Sequence, residues 1–495
     1  MKKTLAILMV MLMLISAVAL TAAESRPVLR VAYPGNIQAF IEGEDENNNF
    51  IIDYIEKGTG IDVEWIILPT ENPLAKLNVM MAAQEIDVLF NTSYQTLLDY
   101  HTQGLLAVLD DYLKEGVLAP DVEALTKEST IGGETFAVFY PGGQSDPTAV
   151  WMYNKKLLSD AGIVVPDTVT LDDYTSILYA IKEAYPDKIA LTTVGSTIDM
   201  FLGSMQNIYG AYGIANAFRV TENNELEFTG TTEDMRECLA YIRKLYADGI
   251  LDPEYLVNTK DTIVPKIMND QVVSVNAMWY DYTGTYSPYM IDEDKELTGW
   301  GQVPIIHGTR STTGQTNGPK TRQMGAVAKN CQDIEAAVKL LAFMSTDDYY
   351  YRIMYGEPGV DSIKDENGKF VFQDTPVGKA YMQNGMFFHN YYSVKESKEL
   401  RCIRLQPTYP SYERFVTDIM NFYEPKQVNN PIIIHPYIEE YDDIVPDIND
   451  VMATYVTKIV LGEYELSAFD EMKQEFDDVG GNEAVDALNE WYTQQ

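Results

Sequence analysis

Short apolar runs alternate with amphipathic, helix-like segments over the first part of the chain. The runs cover residues 28–33, 61–68 and 86–90. Between the first two, Ile51, Tyr54 and Ile55 recur at helical spacing, and Gly58 marks the predicted end of that helix. Alternating strands and helices of this kind predict an α/β fold.

The same spacing predicts further helices later in the chain. Thr170-Leu-Asp-Asp173 has the form of a capping box and precedes a helical pattern. Helical faces also run through 235–246 and 334–344, and residues 456–491 read as helices broken at glycines. Hairpin turns are predicted at 222–225 and 365–368.

Aromatic and polar residues follow several of the predicted strands. They are Tyr33 and Asn36, Asn91 and Tyr94, and the run Trp279, Tyr280 and Asp281 after the strand predicted at 272–277. Ligands of open α/β sheets bind at the carboxyl ends of strands, so these residues are candidate ligand contacts. The alternative is that such aromatic side chains cover the core beneath a loop.

The first residues have the pattern of a secretory signal, predicted to cover residues 1–23. Lys2 and Lys3 precede an apolar stretch, and small residues follow it. Leu20-Thr-Ala-Ala23 is similar to a lipoprotein signal with alanine at the position of the lipid-bearing cysteine. We therefore expect a secreted protein that is extracellular or associated with the cell envelope.

Length and charge limit the classes of partner. A chain of 495 residues is too long for one core and predicts two domains. The formal net charge of −38 works against binding of nucleic acid, which needs clustered Lys and Arg. The three cysteines have no spacing that indicates a disulfide.

Several loose motifs, taken in order, carry a family resemblance. They are 76–87, 104–110, Thr59-Gly-Ile-Asp-Val63, the "YNK-x-LL" run at 153–158 and the segment 461–475. Together they resemble the extracellular solute-binding proteins of carbohydrate ABC transporters, the family that includes maltose-binding protein. This resemblance implies a two-lobed, periplasmic-binding-protein-like (type II) α/β fold with hinge crossings and a central ligand cleft.

The resemblance also implies a domain division and a function. Lobe 1 would take residues 28–141 and 322–400, and lobe 2 residues 142–321 and 401–495. The protein would capture an oligosaccharide between its lobes and deliver it to the permease subunits of an ABC importer. It would act as a monomer without a cofactor. A peptide or another small solute is the alternative ligand, and a secreted glycan-degrading enzyme is the distant alternative.

Family motifs also assign individual candidate residues. Trp279 falls where the family stacks a tryptophan on sugar, and Tyr209 falls on the tyrosine of a Glu-Pro-Tyr contact. Asn91 and Tyr94 replace a tryptophan and an aspartate of maltose-binding protein, and Asp146 falls where the family has a carboxylate beyond the hinge. These departures argue against maltodextrin as the ligand.

Signatures of catalysis are absent from the sequence. None of the four histidines forms an HExxH pair, and neither a GxSxG turn nor a GxxxxGK[ST] loop occurs. No catalytic residue, enzyme activity or metal site is therefore predicted. Asp45-x-Asn47-x-Asn49 partly resembles an EF-hand loop, but Phe50 stands where that loop needs glycine. Asparagines that cap a helix starting near Phe50 explain the run more simply.

Overall fold

The structure is a computed structural model that describes most of the chain. The described residues are 26–33, 40–69, 72–90, 92–128, 130–141, 149–195, 200–201, 203–278, 281, 286, 299–303, 305–308, 315–316, 321–384, 427–428, 430–432 and 435–494.

Strands and helices alternate through these residues. The strands are β1 (Val28–Tyr33), β2 (Asp62–Ile67), β3 (Val88–Phe90), β4 (Val138–Pro141), β5 (Ala149–Asn154), β6 (Val169–Thr170), β7 (Thr192–Thr193), β8 (Phe218–Val220), β9 (Leu226–Phe228), β10 (Ser274–Met278), β11 (Trp300–Val303), β12 (Ile306–His307), β13 (Gln315–Thr316), β14 (Thr321–Val327), β15 (Ser362–Lys364), β16 (Phe370–Phe372) and β17 (Gln427–Val428). The helices are α1 (Phe50–Thr59), α2 (Pro73–Ala82), α3 (Tyr94–Thr102), α4 (Pro120–Glu128), α5 (Lys155–Asp160), α6 (Leu171–Ala184), α7 (Gln206–Ala211), α8 (Glu233–Ala247), α9 (Lys260–Met268), α10 (Ile334–Met344), α11 (Asp347–Tyr355), α12 (Pro376–Asn384), α13 (Glu439–Asp442), α14 (Val445–Leu461), α15 (Ala468–Asp478) and α16 (Gly481–Tyr492).

Contacts divide the chain into two compact units. Unit 1 consists of Met1–Tyr140, Gln323–Ile363 and Phe372–Asn390, and unit 2 of Pro141–Arg322, Lys364–Val371 and Tyr391–Gln495. The lobe boundaries predicted from the sequence stay a prediction. The predicted signal segment, 1–23, lies outside the described residues.

Unit 1 is built on a sheet with strand order β2-β1-β3-β14-β4. β1 runs parallel to both β2 and β3, whereas β14 runs antiparallel to β3. Leu89 and Phe90 are fully buried in the centre of this sheet, as the continuous apolar run predicts for a strand covered on both faces. Helix α3 packs its buried residues Leu97 and Leu98 into the unit.

Helix α1 begins as predicted but ends later than predicted. The Asn49 side chain accepts hydrogen bonds from the backbone N–H groups of Ile51 and Ile52, which confirms the capping role of this asparagine. The predicted end at Gly58 is wrong, since the helix continues to Thr59 and is capped by Gly60, which adopts a left-handed conformation with φ of 72°. Gly58 lies inside the helix, where an added Cβ would come within 2.4 Å of the Phe343 ring.

Unit 2 is built on a second sheet, with strand order β11-β5-β10-β7. β10 pairs antiparallel with β5 and parallel with β7, and β11 pairs antiparallel with β5. The carboxyl ends of β7, β10 and β11 therefore lie at the same edge as the start of β5. The predicted hairpin at 222–225 is confirmed, because β8 and β9 pair antiparallel around this turn.

The unit 2 core combines this sheet with the surrounding helices. Helix α6 starts at the predicted capping box, in which Thr170 and Asp173 exchange hydrogen bonds. The C-terminal helices α14 and α15 add Val456, Ile459 and Phe469 to the same apolar cluster as Leu239 of α8. No helix in the described part of the chain is long and apolar enough to cross a membrane.

A buried ionic network ties the chain after α8 to strand β7. The Asp252 carboxylate accepts hydrogen bonds from Lys266 (2.7 Å), Thr192 (2.7 Å) and Asn258 (2.9 Å). Burial of Asp252 opposes ionisation, but these donors outweigh the desolvation and lower its pKa. Lys266 and Asp252 therefore form a buried ion pair within the core of the unit, not a pair on its surface.

Replacing Lys266 by Met should lower the free energy of unfolding by about 3 kcal/mol, because it leaves the buried carboxylate without its cation. The matched Lys156→Met variant removes an exposed pair with Asp160 and should cost about 0–1 kcal/mol. Equilibrium urea unfolding measures both losses.

The loss of unfolding free energy in Lys266→Met should depend on pH, because it involves the ionised form of Asp252. Since the folded state lowers the pKa of Asp252, its contribution is present above the ordinary carboxyl pKa of 3.8 and is lost as the pH falls through the folded-state pKa. The difference in free energy of unfolding between wild type and Lys266→Met should therefore shrink in acid. Equal losses for the two lysine variants would contradict this account.

Candidate ligand-binding site

The carboxyl edge of the unit 1 sheet is lined by aromatic residues. β1 and β3 end at Tyr33 and Phe90, whose rings stack with centroids 6.4 Å apart. Trp65 of β2 lies 5.7 Å from the Tyr33 ring. Tyr33 is only 4% exposed, so its ring forms part of the packing beneath this edge.

Helix α3 starts immediately beyond β3, at the same edge. Ser93 caps this helix by accepting a hydrogen bond from the Thr96 N–H. Tyr94, the first helical residue, is half-buried, and its ring centroid lies 6.4 Å from that of Phe136 and 6.2 Å from that of Phe139. Tyr94 therefore has both a packed side and an exposed side.

In unit 2, strand β10 leads to a buried carboxylate at the carboxyl edge of the sheet. Asp281 follows β10 and is 2% exposed. Lys260, the first residue of α9, donates a hydrogen bond of 2.6 Å to its carboxylate. The Lys260 side chain remains 41% exposed, so the cation reaches from solvent to the buried anion. Such a pair holds the chain that leaves β10 against the start of α9.

Tyr209 lies in α7, a short helix that is buried on nearly all sides. The Tyr209 ring packs edge-on against Phe201, with centroids 5.3 Å apart. Gly308, directly after β12, allows a close backbone approach to this helix: a Cβ there would come 1.5 Å from the carbonyl oxygen of Ala211. The position of Tyr209 is therefore set by packing on several sides.

A polar pair connects α7 to β10. The side chain of Asn207 donates a hydrogen bond of 3.0 Å to the side chain of Asn276, and both residues are buried. Asn276 is paired in register with Trp151 of β5, whose ring meets Tyr174 edge-on at 5.0 Å. Burial raises the pKa of the Tyr174 phenol well above its usual value, so this hydroxyl stays neutral.

The comparison with protein families decides the identity of this architecture. A family model described as bacterial extracellular solute-binding protein matches residues 36–351. The chain belongs to this family. The family resemblance predicted from the sequence motifs is thereby confirmed.

A curated relative and several solved structures agree with this assignment. Lipoprotein LipO of Bacillus subtilis is 21% identical over 473 residues, which cover 88% of each chain. Among solved structures, the substrate-binding protein FusA of S. pneumoniae in complex with kestose is 15% identical, with a TM-score of 0.69 over 94% of this chain and 99% of that one. An HMO-binding solute-binding protein from Bifidobacterium longum infantis is 16% identical, with a TM-score of 0.69 over 95% of this chain and 99% of that one.

A third solved structure is the N-glycan transport solute-binding protein NgtS of Streptococcus pneumoniae. It is 16% identical, with a TM-score of 0.62 over 95% of this chain and 99% of that one. At these identities the likeness establishes the fold. The two-lobed solute-binding-protein fold class predicted from the sequence is confirmed.

The sequence-predicted site residues divide between described and undescribed positions. Tyr33 and Tyr94 lie at the carboxyl edge of unit 1, and Tyr209 and Asp281 lie in unit 2. The other five, Asn36, Asn91, Asp146, Trp279 and Tyr280, lie outside the described residues. The site as a whole stays a prediction.

Two contacts close to the candidate residues had no clear signal in the sequence. Lys260 is 21 residues from Asp281 in the sequence, and only the fold brings the two side chains together. Nothing in the sequence indicates that Asn207 and Asn276 form a hydrogen bond, although each lies a few residues before a predicted contact residue. Within the described ranges, no group of three His, Cys, Asp or Glu side chains is placed to hold a metal ion.

Proposed function

We propose that this solute-binding protein captures an oligosaccharide outside the cell and delivers it to the permease of an ABC importer, acting as a monomer. The observation that carries the proposal is the carboxyl edge of unit 2, where a buried carboxylate paired with Lys260 directly follows Trp279 and Tyr280 in the chain. Aromatic faces and hydrogen-bonding carboxylates are the groups that hold a sugar ring and its hydroxyls.

The ligands of the similar proteins support the ligand class. FusA is described with kestose, the Bifidobacterium protein as HMO-binding and NgtS as an N-glycan transport protein. The fold is shared over nearly the whole chain, but fold alone does not specify a ligand. The proposal therefore rests on the aromatic and carboxylate residues of this chain. The similar solved structures make the proposed ligand class more specific.

In this proposal, both sheet edges contribute contact residues. The set is the one predicted from the sequence: Tyr33, Asn36, Asn91, Tyr94, Asp146, Tyr209, Trp279, Tyr280 and Asp281. Ligand binding would shift a hinge equilibrium towards the state with more contacts, since a ligand stabilises the state that it binds more tightly. The permease would then recognise that state.

Two alternatives make different predictions. A peptide-binding protein needs groups that hold charged termini, and would respond to peptides rather than glycans. A secreted glycan-degrading enzyme would release shorter products from a polysaccharide, whereas a transport receptor would return the glycan unchanged. The absence of a matched catalytic motif in the sequence favours the receptor.

Export without a lipid anchor is a further part of the proposal. The relative LipO is described as a lipoprotein, whereas Ala23 here stands where a lipid-bearing cysteine would be. Metabolic labelling with a fatty acid should leave the wild-type protein unlabelled, and the Ala23→Cys variant should take up label. A labelled wild-type protein would show that it is anchored in another way.

Thermal melting against a panel of plant, host and bacterial oligosaccharides tests the ligand class. A glycan present at 100 times its dissociation constant should stabilise the unit that binds it by about 2.7 kcal/mol. A peptide panel is the matched control. A rise in melting temperature with peptides, and none with any glycan, would favour the peptide alternative.

Replacing Trp279 by Ala should weaken binding of the responding glycan by about 2–4 kcal/mol, because it removes a large aromatic contact. Titration calorimetry measures the dissociation constants. The control is Trp491→Phe, a conservative change at a half-buried tryptophan of α16 near His435. Unchanged affinity in a folded Trp279→Ala protein would remove this residue from the site.

A further inference from the structure

Helix α7 cannot hold its position by its own helical interactions. It is six residues long, and no side chain caps its first turn at Met205. Isolated helices of this length are unstable in water, so tertiary contacts must fix where it lies. Residues 207–211 are all buried, which leaves a polar side chain such as Asn207 inside an apolar core.

Asn207 meets part of its hydrogen-bonding requirement through Asn276. The amide nitrogen of Asn207 donates to the amide oxygen of Asn276 at 3.0 Å. The oxygen of Asn207 has no hydrogen-bond partner within the part of the chain that the structure describes. A buried polar group is costly when it is unpaired, so any displacement of α7 that breaks this contact is penalised.

Asn276 is itself firmly placed. It lies in the middle of β10, paired in register with Trp151 of β5 and with Thr193 of β7. The phenol of Tyr174, on α6, lies beside it. The contact therefore ties α7 to the sheet at one defined register, whereas apolar packing alone would tolerate small slides of the helix.

Both partners of this contact lie close in sequence to predicted ligand contacts. Asn207 is two residues before Tyr209, and Asn276 is three residues before Trp279. We infer that Asn207 and Asn276 form a positioning pair that fixes α7 relative to the end of β10 and so sets the geometry with which unit 2 receives its ligand. This inference rests on the proposed function, because the ligand is taken to be a glycan.

The pair acts through other residues, so the test compares ligand affinity with stability. The variants are Asn207→Ala, Asn276→Ala and the combined Asn207→Leu/Asn276→Leu. The leucine pair has a similar size and leaves no unsatisfied amide, so the protein should keep most of its stability. Each variant should nevertheless raise the dissociation constant of the responding glycan by about tenfold or more.

Ser274→Ala is the matched control. Ser274 lies on the same strand and the same face as Asn276, is fully buried, and donates a hydrogen bond of 2.5 Å to the carbonyl oxygen of Ala190. Its loss should lower the melting temperature but leave glycan affinity within about twofold of wild type. A positioning role therefore predicts weaker glycan binding in the three asparagine variants but not in Ser274→Ala. A general loss of packing would weaken glycan binding in all four variants.

Hydrogen exchange of the ligand-free protein gives a readout that needs no glycan. The backbone amides of 206–211 should exchange faster in each asparagine variant, because the helix is no longer held at one register. In Ser274→Ala these amides should exchange as in wild type.

The outcomes separate this inference from the proposed function. Folded asparagine variants with unchanged exchange in α7, or with wild-type glycan affinity, would overturn the positioning role. If wild type binds no glycan while exchange in α7 rises as expected, the pair still positions the helix, but its role in glycan recognition is refuted together with the proposed function.

Discussion

The antiparallel register between β5 and β10 is the constraint on which unit 2 depends. It places Asn276 beside Trp151, and Trp151 in turn packs against Tyr174 of α6. β10 then carries the chain to the carboxyl edge, where Asp281 meets Lys260. Since side chains alternate along a strand, a slip of one residue would turn Asn276 to the opposite face and break its contact with α7.

Buried carboxylates paired with cations recur near the ends of the sheets. The Arg30 guanidinium donates two hydrogen bonds to Asp87 just before β3, Lys266 contacts Asp252 beside β7, and Lys260 contacts Asp281 after β10. The chain has 74 acidic and only 36 basic residues, so most carboxylates must rely on water. These three cations instead pair with carboxylates that are buried, where an unpaired carboxylate would be most costly.

Family membership and ligand identity rest on different kinds of evidence. The fold is shared with solved structures that are only 15–16% identical, because many sequences can satisfy the same pattern of buried positions. Ligand choice instead depends on a few side chains at the strand ends. In this chain Asn207, two residues before the predicted contact Tyr209, donates a hydrogen bond to another amide within the protein.

The sequence by itself determined the local features of this protein. Asn49 and the Thr170–Asp173 capping box identify helix starts because each cap is made by residues a few positions apart. Apolar runs located β1 and β3 for the same local reason. Tertiary structure decided the features that depend on residues distant in the chain. Gly58 lies within α1, where the Phe343 ring leaves no room for a side chain, and Tyr33 is buried because Trp65 and Phe90 flank it. Asn207 and Asn276 are 69 residues apart, and only the packing of α7 on the sheet brings their amides within hydrogen-bonding distance.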